Sequence, residues 1–238
     1  MRKTVKPIYS MCVQPAFIIG TNNEDGTPNF APITWASATH EDGEGYLFVI
    51  SMFGTKMTRK NVVRTGVFSA NLVSTDMLPL MDYFGSKHAK DDTKNDMSYT
   101  VVRGEALDVP VLDESRFVYE CEVTRTVETG DSATFFCHIR NIQIDERLTC
   151  EDTFDVDLTV LDPVIYSGRY HSIGKMLGKI GDFINSPREK HDEKGWGVRS
   201  LSRKQVISQN AWARKFEFSD DKVVPSLELF IPNRRLSR

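Results

Sequence analysis

The sequence predicts a mainly β protein, an antiparallel β barrel with flanking helices. Three observations carry that expectation. Short apolar runs of strand length recur along the chain, each stopped by Gly, Pro, Asn or Asp. Asp25-Gly26 stands between two such runs, and Gly takes positive φ without steric cost, which is the chemistry of a hairpin turn. No G-x-G-x-x-G follows a strand, so the parallel sheet of a Rossmann nucleotide domain is not indicated.

Taken in order, residues 1–16 read as a leading segment in which Pro7 and Pro15 bracket a piece that covers one barrel mouth. Phe17-Ile18-Ile19-Gly20-Thr21 is the first strand, residues 22–29 the turn, and 30–37 the returning strand. Residues 41–45 form a polar turn. Residues 46–51 form the third strand, and 46–50 are apolar on both faces, as a strand buried on two sides requires. Thr58 is placed to N-cap a short helix whose terminator is Gly66. Residues 67–72 are the next strand. Ser74-Thr75-Asp76 opens a second helix carrying Met77, Leu78, Leu80, Met81 and Phe84, ended by Gly85. Residues 86–98, rich in Lys, Asp and Asn, read as a mobile loop.

From residue 99 onward strands dominate again. In 116–124, Phe117, Tyr119, Cys121 and Val123 share one face, and Arg116, Glu120 and Glu122 the other. Gly130-Asp131 joins this run to 133–144 as a hairpin, and a switch of apolar face near Arg140-Asn141 predicts a bulge. Residues 148–162 read as an excursion plus a last short strand. Ile173, Met176, Leu177, Ile180 and Ile184 recur with helical spacing, which predicts a helix over 171–184, ended by Pro187. Gly174, Gly178 and Gly181 each cost that helix about 1 kcal/mol of propensity. The main domain is expected to span 1–186. The extension 187–238 shows only a polar helix at 204–216 and a strand at 227–231.

The totals narrow the function. The chain has 238 residues, 40% hydrophobic and 26% charged, which suits one large β domain with an appendage. A net charge of −3 advertises no nucleic-acid partner. The charge is uneven: residues 187–238 carry a net +5, the rest −8, so the extension is either a docking tail or a solvated end. No run approaches the ~18 apolar residues of a membrane span. The basic start of the chain has no apolar core behind it, so no secretion signal is expected. Cys12, Cys121, Cys137 and Cys150 show no C-x-x-C spacing and are expected to be free thiols in a reducing cytoplasm. The five histidines have no metal-ligand spacing, and no metal site is expected.

The best local candidate site is the loop at 55–61. Lys56, with Arg59 or Lys60, supplies cationic charge, and Thr55 and Thr58 supply hydroxyls. The helix start adds oriented N–H groups, and together these suit a phosphate. A basic surface turn with an ordinary cap is the competing reading. Thr34-Trp35-Ala36-Ser37 ends a strand with small residues against which a planar ring can lie, although Trp35 is equally a core or interface aromatic and Ser37 and Ser51 ordinary strand-end hydroxyls. Asn71 within an apolar strand either meets ligand or ties backbone, and Asn29 either meets ligand or forms a turn. No Ser/His/Asp or Cys/His set is visible, which fits an enzyme whose cofactor carries the chemistry.

Four stretches, in order, carry a resemblance. They are Asn23-Glu24-Asp25-Gly26-Thr27-Pro28-Asn29-Phe30-Ala31-Pro32, Lys56-Met57-Thr58-Arg59-Lys60-Asn61, Gly66-Val67-Phe68-Ser69-Ala70-Asn71-Leu72, and Tyr170-His171-Ser172-Ile173-Gly174-Lys175-Met176-Leu177-Gly178. Together they resemble the flavin reductase-like family of FMN-binding split β-barrels, antiparallel and of Greek-key type, flavoredoxin-like members included. The resemblance covers roughly residues 5–185. It implies FMN as cofactor, with Thr55, Lys56, Thr58 and Asn61 on the phosphate and Thr34, Trp35, Ala36, Ser37 and Ser51 beside the ring. Asn29 and Asn71 would lie near the rest of the flavin. It implies that His171 approaches the flavin as a catalytic contact and that Lys94 lies near the site. It further implies a homodimer and electron flow from NAD(P)H through FMN to a flavin or protein acceptor. A flavoredoxin-like electron carrier and a non-catalytic flavin or haem sensor are the alternatives.

Overall fold

The computed structural model of the chain describes residues 13–43, 45–86, 97–148 and 157–178. Strands β1 (Gln14–Pro15), β2 (Phe17–Asn22), β3 (Pro28–Ile33), β4 (Ala36–Glu41) and β5 (Gly45–Phe53) precede helix α1 (Met57–Thr65). Strand β6 (Val67–Leu72) leads through a 3-10 turn (Thr75–Met77) into α2 (Leu78–Ser86). The short β7 (Val101–Arg103) and β8 (Pro110–Leu112) are followed by the long β9 (Phe117–Thr129) and β10 (Ser132–Ile144). Helix α3 (Leu158–Leu161), β11 (Val164–Tyr166) and β12 (Tyr170–Ser172) complete the set.

Seven strands form one antiparallel sheet in the order β3-β2-β6-β9-β10-β5-β4. Its two edge strands, β3 and β4, are consecutive in the chain, joined only by Thr34 and Trp35. A flat seven-stranded sheet would set its edges about 29 Å apart. Ile33 and Ala36, three residues apart, can be separated by at most about 11 Å. The sheet must therefore curl until its edges nearly meet, and the expected antiparallel barrel follows from chain length alone.

Alternation fills the inside. Phe48, Ile50 and Met52 of β5 join Phe17, Ile19, Phe68 and Phe135 in one core. The opposite faces of β2 and β3 place Ile18 and Phe30 under α2, against Leu80, Met81 and Phe84. The hairpin expected over 17–37 forms in register over 17–33, with Gly26 at φ 81° in its turn. Gly66, at φ 72°, ends α1 as expected. The bulge expected near Arg140 is present: Ile139 opposes Cys121 and Asn141 opposes Glu120.

Several expectations need correction. Residues 30–37 are not one strand. Thr34 and Trp35 break the run, because the Ala36 N–H turns back to the Thr34 carbonyl at 2.9 Å and β4 then pairs with β5. Helix α1 is capped at Lys56, with no side-chain cap, and Thr58 lies buried as the second residue of the helix. Residues 46–51 are buried unevenly: Leu47, Phe48 and Ile50 are buried, Val49 and Ser51 half-buried, and Tyr46 exposed. The excursion ends in the helical turn α3, capped by the Asp157 side chain on the Thr159 N–H, and the last strands lie beyond it. The helix expected over 171–184 begins instead as β12, and residues 173–178 have no regular structure. Met176 and Leu177, expected on its apolar face, are both 78% exposed. Lys94, Cys12, Cys150, residues 179–184 of that helix, most of the loop at 86–98 and the whole extension 187–238 lie outside the described residues.

Glu120 was expected on a polar face, yet it is fully buried. Its carboxylate accepts from the N–H groups of Glu105, Ala106 and Leu107 and from the side-chain amides of Asn141 and Gln143, at 2.7 to 2.9 Å. Gly104 is needed here, because a Cβ would come within 2.6 Å of Glu120 Oε2. Burial pushes the Glu120 carboxyl up, but these donors outweigh it and hold the group below the usual carboxylate value. The carboxylate thereby folds the β7–β8 hairpin onto the barrel.

Candidate functional site

There are two polar groupings, one among β2, β3 and α1 and the other on β1, β4 and β5. The first is internal. Asn29 Nδ2 donates to Thr58 Oγ1 at 2.9 Å and to Thr21 Oγ1 at 3.2 Å. Asn61 Nδ2 donates to Thr21 Oγ1 at 3.1 Å and to Asn23 Oδ1 at 2.9 Å. Thr21, Asn29, Thr58 and Asn61 are all buried. The network joins α1 to the β2–β3 hairpin, and Arg64 adds a bond to the Asn22 carbonyl at 2.5 Å. The side chains of Asn29, Thr58 and Asn61 are thus engaged within the protein. Asn71 is a clearer correction. It is fully buried, with Nδ2 donating to the Ile18 carbonyl and Ser69 Oγ and Oδ1 accepting from the Leu112 N–H, each at 2.9 Å. All three partners are internal, so it ties backbone.

The second grouping faces outward. On β5 the residues between the core positions, Val49 and Ser51, point away from the barrel. Beside them β4 presents Ala36 and Ser37, and Trp35 bonds to the Ser51 N–H through its carbonyl at 2.9 Å. With Gln14 of β1, these residues line a groove of about 310 Å³. Ser37 Oγ makes only a 3.5 Å contact with the Ala38 carbonyl, whereas Ser51 Oγ shares a 2.8 Å hydrogen bond with Thr134 Oγ1. Four of the expected ring-side residues, Trp35, Ala36, Ser37 and Ser51, are therefore brought together. Thr34 lies at the neighbouring chain reversal and does not line the groove.

The expected phosphate loop begins where β5 ends. From Ser51 to Thr55 the backbone spans at most about 14 Å. Thr55 and Lys56 are exposed, and α1 starts with no side-chain cap and no acidic residue in its first turn. The positive end of the helix is left uncompensated beside a lysine, which is an arrangement suited to an anion. Arg59 was weighed as a phosphate ligand. Instead its guanidinium bonds to the Gly54 carbonyl at 3.1 Å, the Asp131 carbonyl at 2.9 Å and Glu128 Oε2 at 2.5 Å. It pins the loop to the β9–β10 turn.

His171 sits on β12, exposed, with Nε2 3.3 Å from Ser167 Oγ. It opposes Ile165 of β11, and β11 in turn pairs with β1, the strand that supplies Gln14 to the groove. Its neighbour Tyr170 donates to Asp82 Oδ1 at 2.7 Å, and burial together with that bond pushes the phenol up to about 12. Cys121 and Cys137 are buried free thiols, and burial pushes the latter up to about 12, so neither is a ready nucleophile. Among the described residues there is no metal-ligating cluster, and no helix is long and apolar enough to cross a membrane. Gln14 and Val49 were missed by sequence reading. The only available signal for Val49 was its alternation with Phe48 and Ile50.

A family model described as flavin reductase like domain matches residues 9–174. The FMN reductase (NADH) RutF of Bradyrhizobium diazoefficiens is 26% identical over 158 residues, which cover 66% of this chain and 77% of that protein. The flavoredoxin of Desulfovibrio vulgaris (Miyazaki F) has a TM-score of 0.69 at 23% identity, over 76% of this chain and 98% of its own. The flavoredoxin of Methanosarcina acetivorans has a TM-score of 0.67 at 20% identity, over 78% and 99%. These two structures share the fold. With the curled antiparallel sheet and a family match over most of its length, the chain belongs to the flavin reductase-like domain family.

Proposed function

We propose that the protein is an FMN-binding oxidoreductase of the flavin reductase type, taking electrons from NAD(P)H and passing them to a flavin or protein acceptor. The observation that carries this reading is the outward groove lined by Ser51, four residues before the exposed Thr55 and the uncapped start of α1. The residues present fit FMN: small side chains and a half-buried indole for a flat ring, then a cation, a hydroxyl and oriented N–H groups for a phosphate. Bound FMN supplies two-electron exchange between the reduced nicotinamide and the acceptor.

Ala36 turns its methyl to the core beside Ile50, so a ring in the groove meets its backbone. Trp35 walls one side, and the Ser37 and Ser51 hydroxyls supply hydrogen bonds at the ring edge. Thr55, Lys56 and the first-turn N–H groups of α1 hold the phosphate, while Arg59 keeps their loop in place. The internal network of Asn29, Thr58 and Asn61 supports the helix from below and is a positioning device. His171 is assigned to the rim, its contact with the bound ring completed in a homodimer. A second copy would also cover Phe53 and Val127, exposed at 60% and 43% on this face. A cytoplasmic location goes with this reading, and residues 187–238 are assigned to a separate role.

Quenching of FMN fluorescence tests the cofactor, and anaerobic stopped-flow mixing with NADH and NADPH tests the reaction. Saturable binding followed by bleaching of the flavin supports the proposal. Binding without bleaching by either nucleotide would identify an electron carrier instead, and absence of FMN binding would remove the reading altogether.

A further inference from the structure

The outer face of the sheet continues beyond the groove. Directly opposed residues of neighbouring antiparallel strands point to the same face. Ser37 opposes Val49, Val49 opposes Phe136, and Phe136 opposes Arg125. This row runs from the groove across β10 onto β9. At about 4.8 Å per strand, the Arg125 backbone lies about 10 Å from that of Val49.

A bulge brings Arg125 to this face. Val123 opposes Cys137 and packs against the core. Strict alternation would then turn Thr124 outward and Arg125 inward. The register instead skips Thr124, whose hydroxyl donates to the Phe136 carbonyl at 3.0 Å. Bulges re-aim side chains in this way. The Arg125 guanidinium lies over the Phe136 ring, 4.1 Å from its centroid. Arg59, Arg116 and Arg140 each hold a carboxylate, but among the described residues Arg125 holds none. Stacking fixes the plane of the guanidinium while leaving its edge donors open to an anion.

If the groove seats a flavin, the geometry points to Arg125 as a specificity residue that binds a phosphate of the reduced nicotinamide dinucleotide. The nicotinamide lies at the groove, and the phosphates cross Val49 and Phe136 to reach Arg125. An arginine fork suits phosphate oxygens, and the distance leaves room for the ribose between ring and phosphate. No electron or proton passes through Arg125, so its effect is on affinity.

The test uses the full chain loaded with FMN. In anaerobic reduction by NADH and NADPH, Arg125→Ala and Arg125→Glu are expected to weaken nucleotide binding by about tenfold or more. The limiting rate of reduction should stay within about twofold. FMN affinity, read by fluorescence quenching, should not change. Arg125→Lys, which keeps the charge without the fork, and Phe136→Leu, which removes the stacking surface, should fall between. Calorimetric titration with NAD⁺ and NADP⁺ gives a readout independent of turnover. A loss confined to NADPH and NADP⁺ assigns the 2′-phosphate, and an equal loss for both nucleotides assigns the pyrophosphate. Unchanged nucleotide affinity in both Arg125→Ala and Arg125→Glu, or an equal fall in FMN affinity, overturns the assignment. Wild-type protein that fails to bind FMN instead sinks the flavin reading on which the assignment rests.

Discussion

Thr21, Asn29, Thr58 and Asn61 lie inside the corner made by β2, β3 and α1, whereas Ser37, Thr55 and Lys56 lie along β4 and the loop after β5. The inner set is buried, with each side chain hydrogen-bonded to another member of the set. The outer set is exposed and, apart from the long Ser37 contact, makes no side-chain hydrogen bond among the described residues. Both sets are polar residues beside apolar runs. What separates them is the side of the barrel wall they face. A polar group inside must find protein partners or cost about 1–3 kcal/mol. One outside keeps its donors for water or for a ligand. The inner set therefore holds the fold and the outer set is free to bind.

Substitutions can break this contrast. The largest effect is expected at Glu120, the most heavily bonded inward group. Glu120→Ala leaves five donors without their acceptor and should cost about 3 kcal/mol or more in urea denaturation. Its pH dependence has a definite sign. The folded carboxyl is held below its unfolded value, so its contribution is present above about pH 4.3 and is lost as pH falls through the folded value. Glu120→Gln should accordingly flatten the acid limb of the stability profile.

Next in size, Asn61→Ala and Asn71→Ala should each cost about 2 kcal/mol of stability while the folded protein retains its FMN affinity. A tenfold loss of FMN affinity with unchanged stability would place these residues in the outer set. On the outer side, Lys56→Glu should reverse the pattern. FMN binding should weaken by about tenfold, measured by fluorescence titration, with stability within about 0.5 kcal/mol of wild type. The smallest effect is expected at Ser37→Ala, about threefold in FMN affinity through loss of one hydrogen bond at an exposed strand.

Much of this arrangement was legible beforehand. Asp25-Gly26, Gly66 and Gly130 sit where positive φ is needed, and they marked two hairpins and a helix end. The apolar run 46–50 marked β5 as a strand, though not that Phe48, Ile50 and Met52 turn inward. The misses share a cause. Helical spacing at Ile173, Met176 and Leu177 predicted a helix, but 170–172 are a strand and 173–178 have no regular structure. Thr58 has the chemistry of a cap but stands two residues too late, because the chain enters the helix at Lys56. Glu120 alternated with apolar residues as a surface glutamate would, and nothing local announced three N–H groups arriving from Gly104–Leu107.

By itself the sequence determined the elements, the turns and the all-β character, because these depend on local φ/ψ preference and on side-chain alternation within a few residues. It also carried the ordered motifs of the family. Tertiary structure alone decided which polar residues face inward, since that depends on the curl imposed by the two-residue link between β3 and β4 and on the bulge at Thr124. Pairing partners distant in sequence set those two features, and no local pattern encodes them.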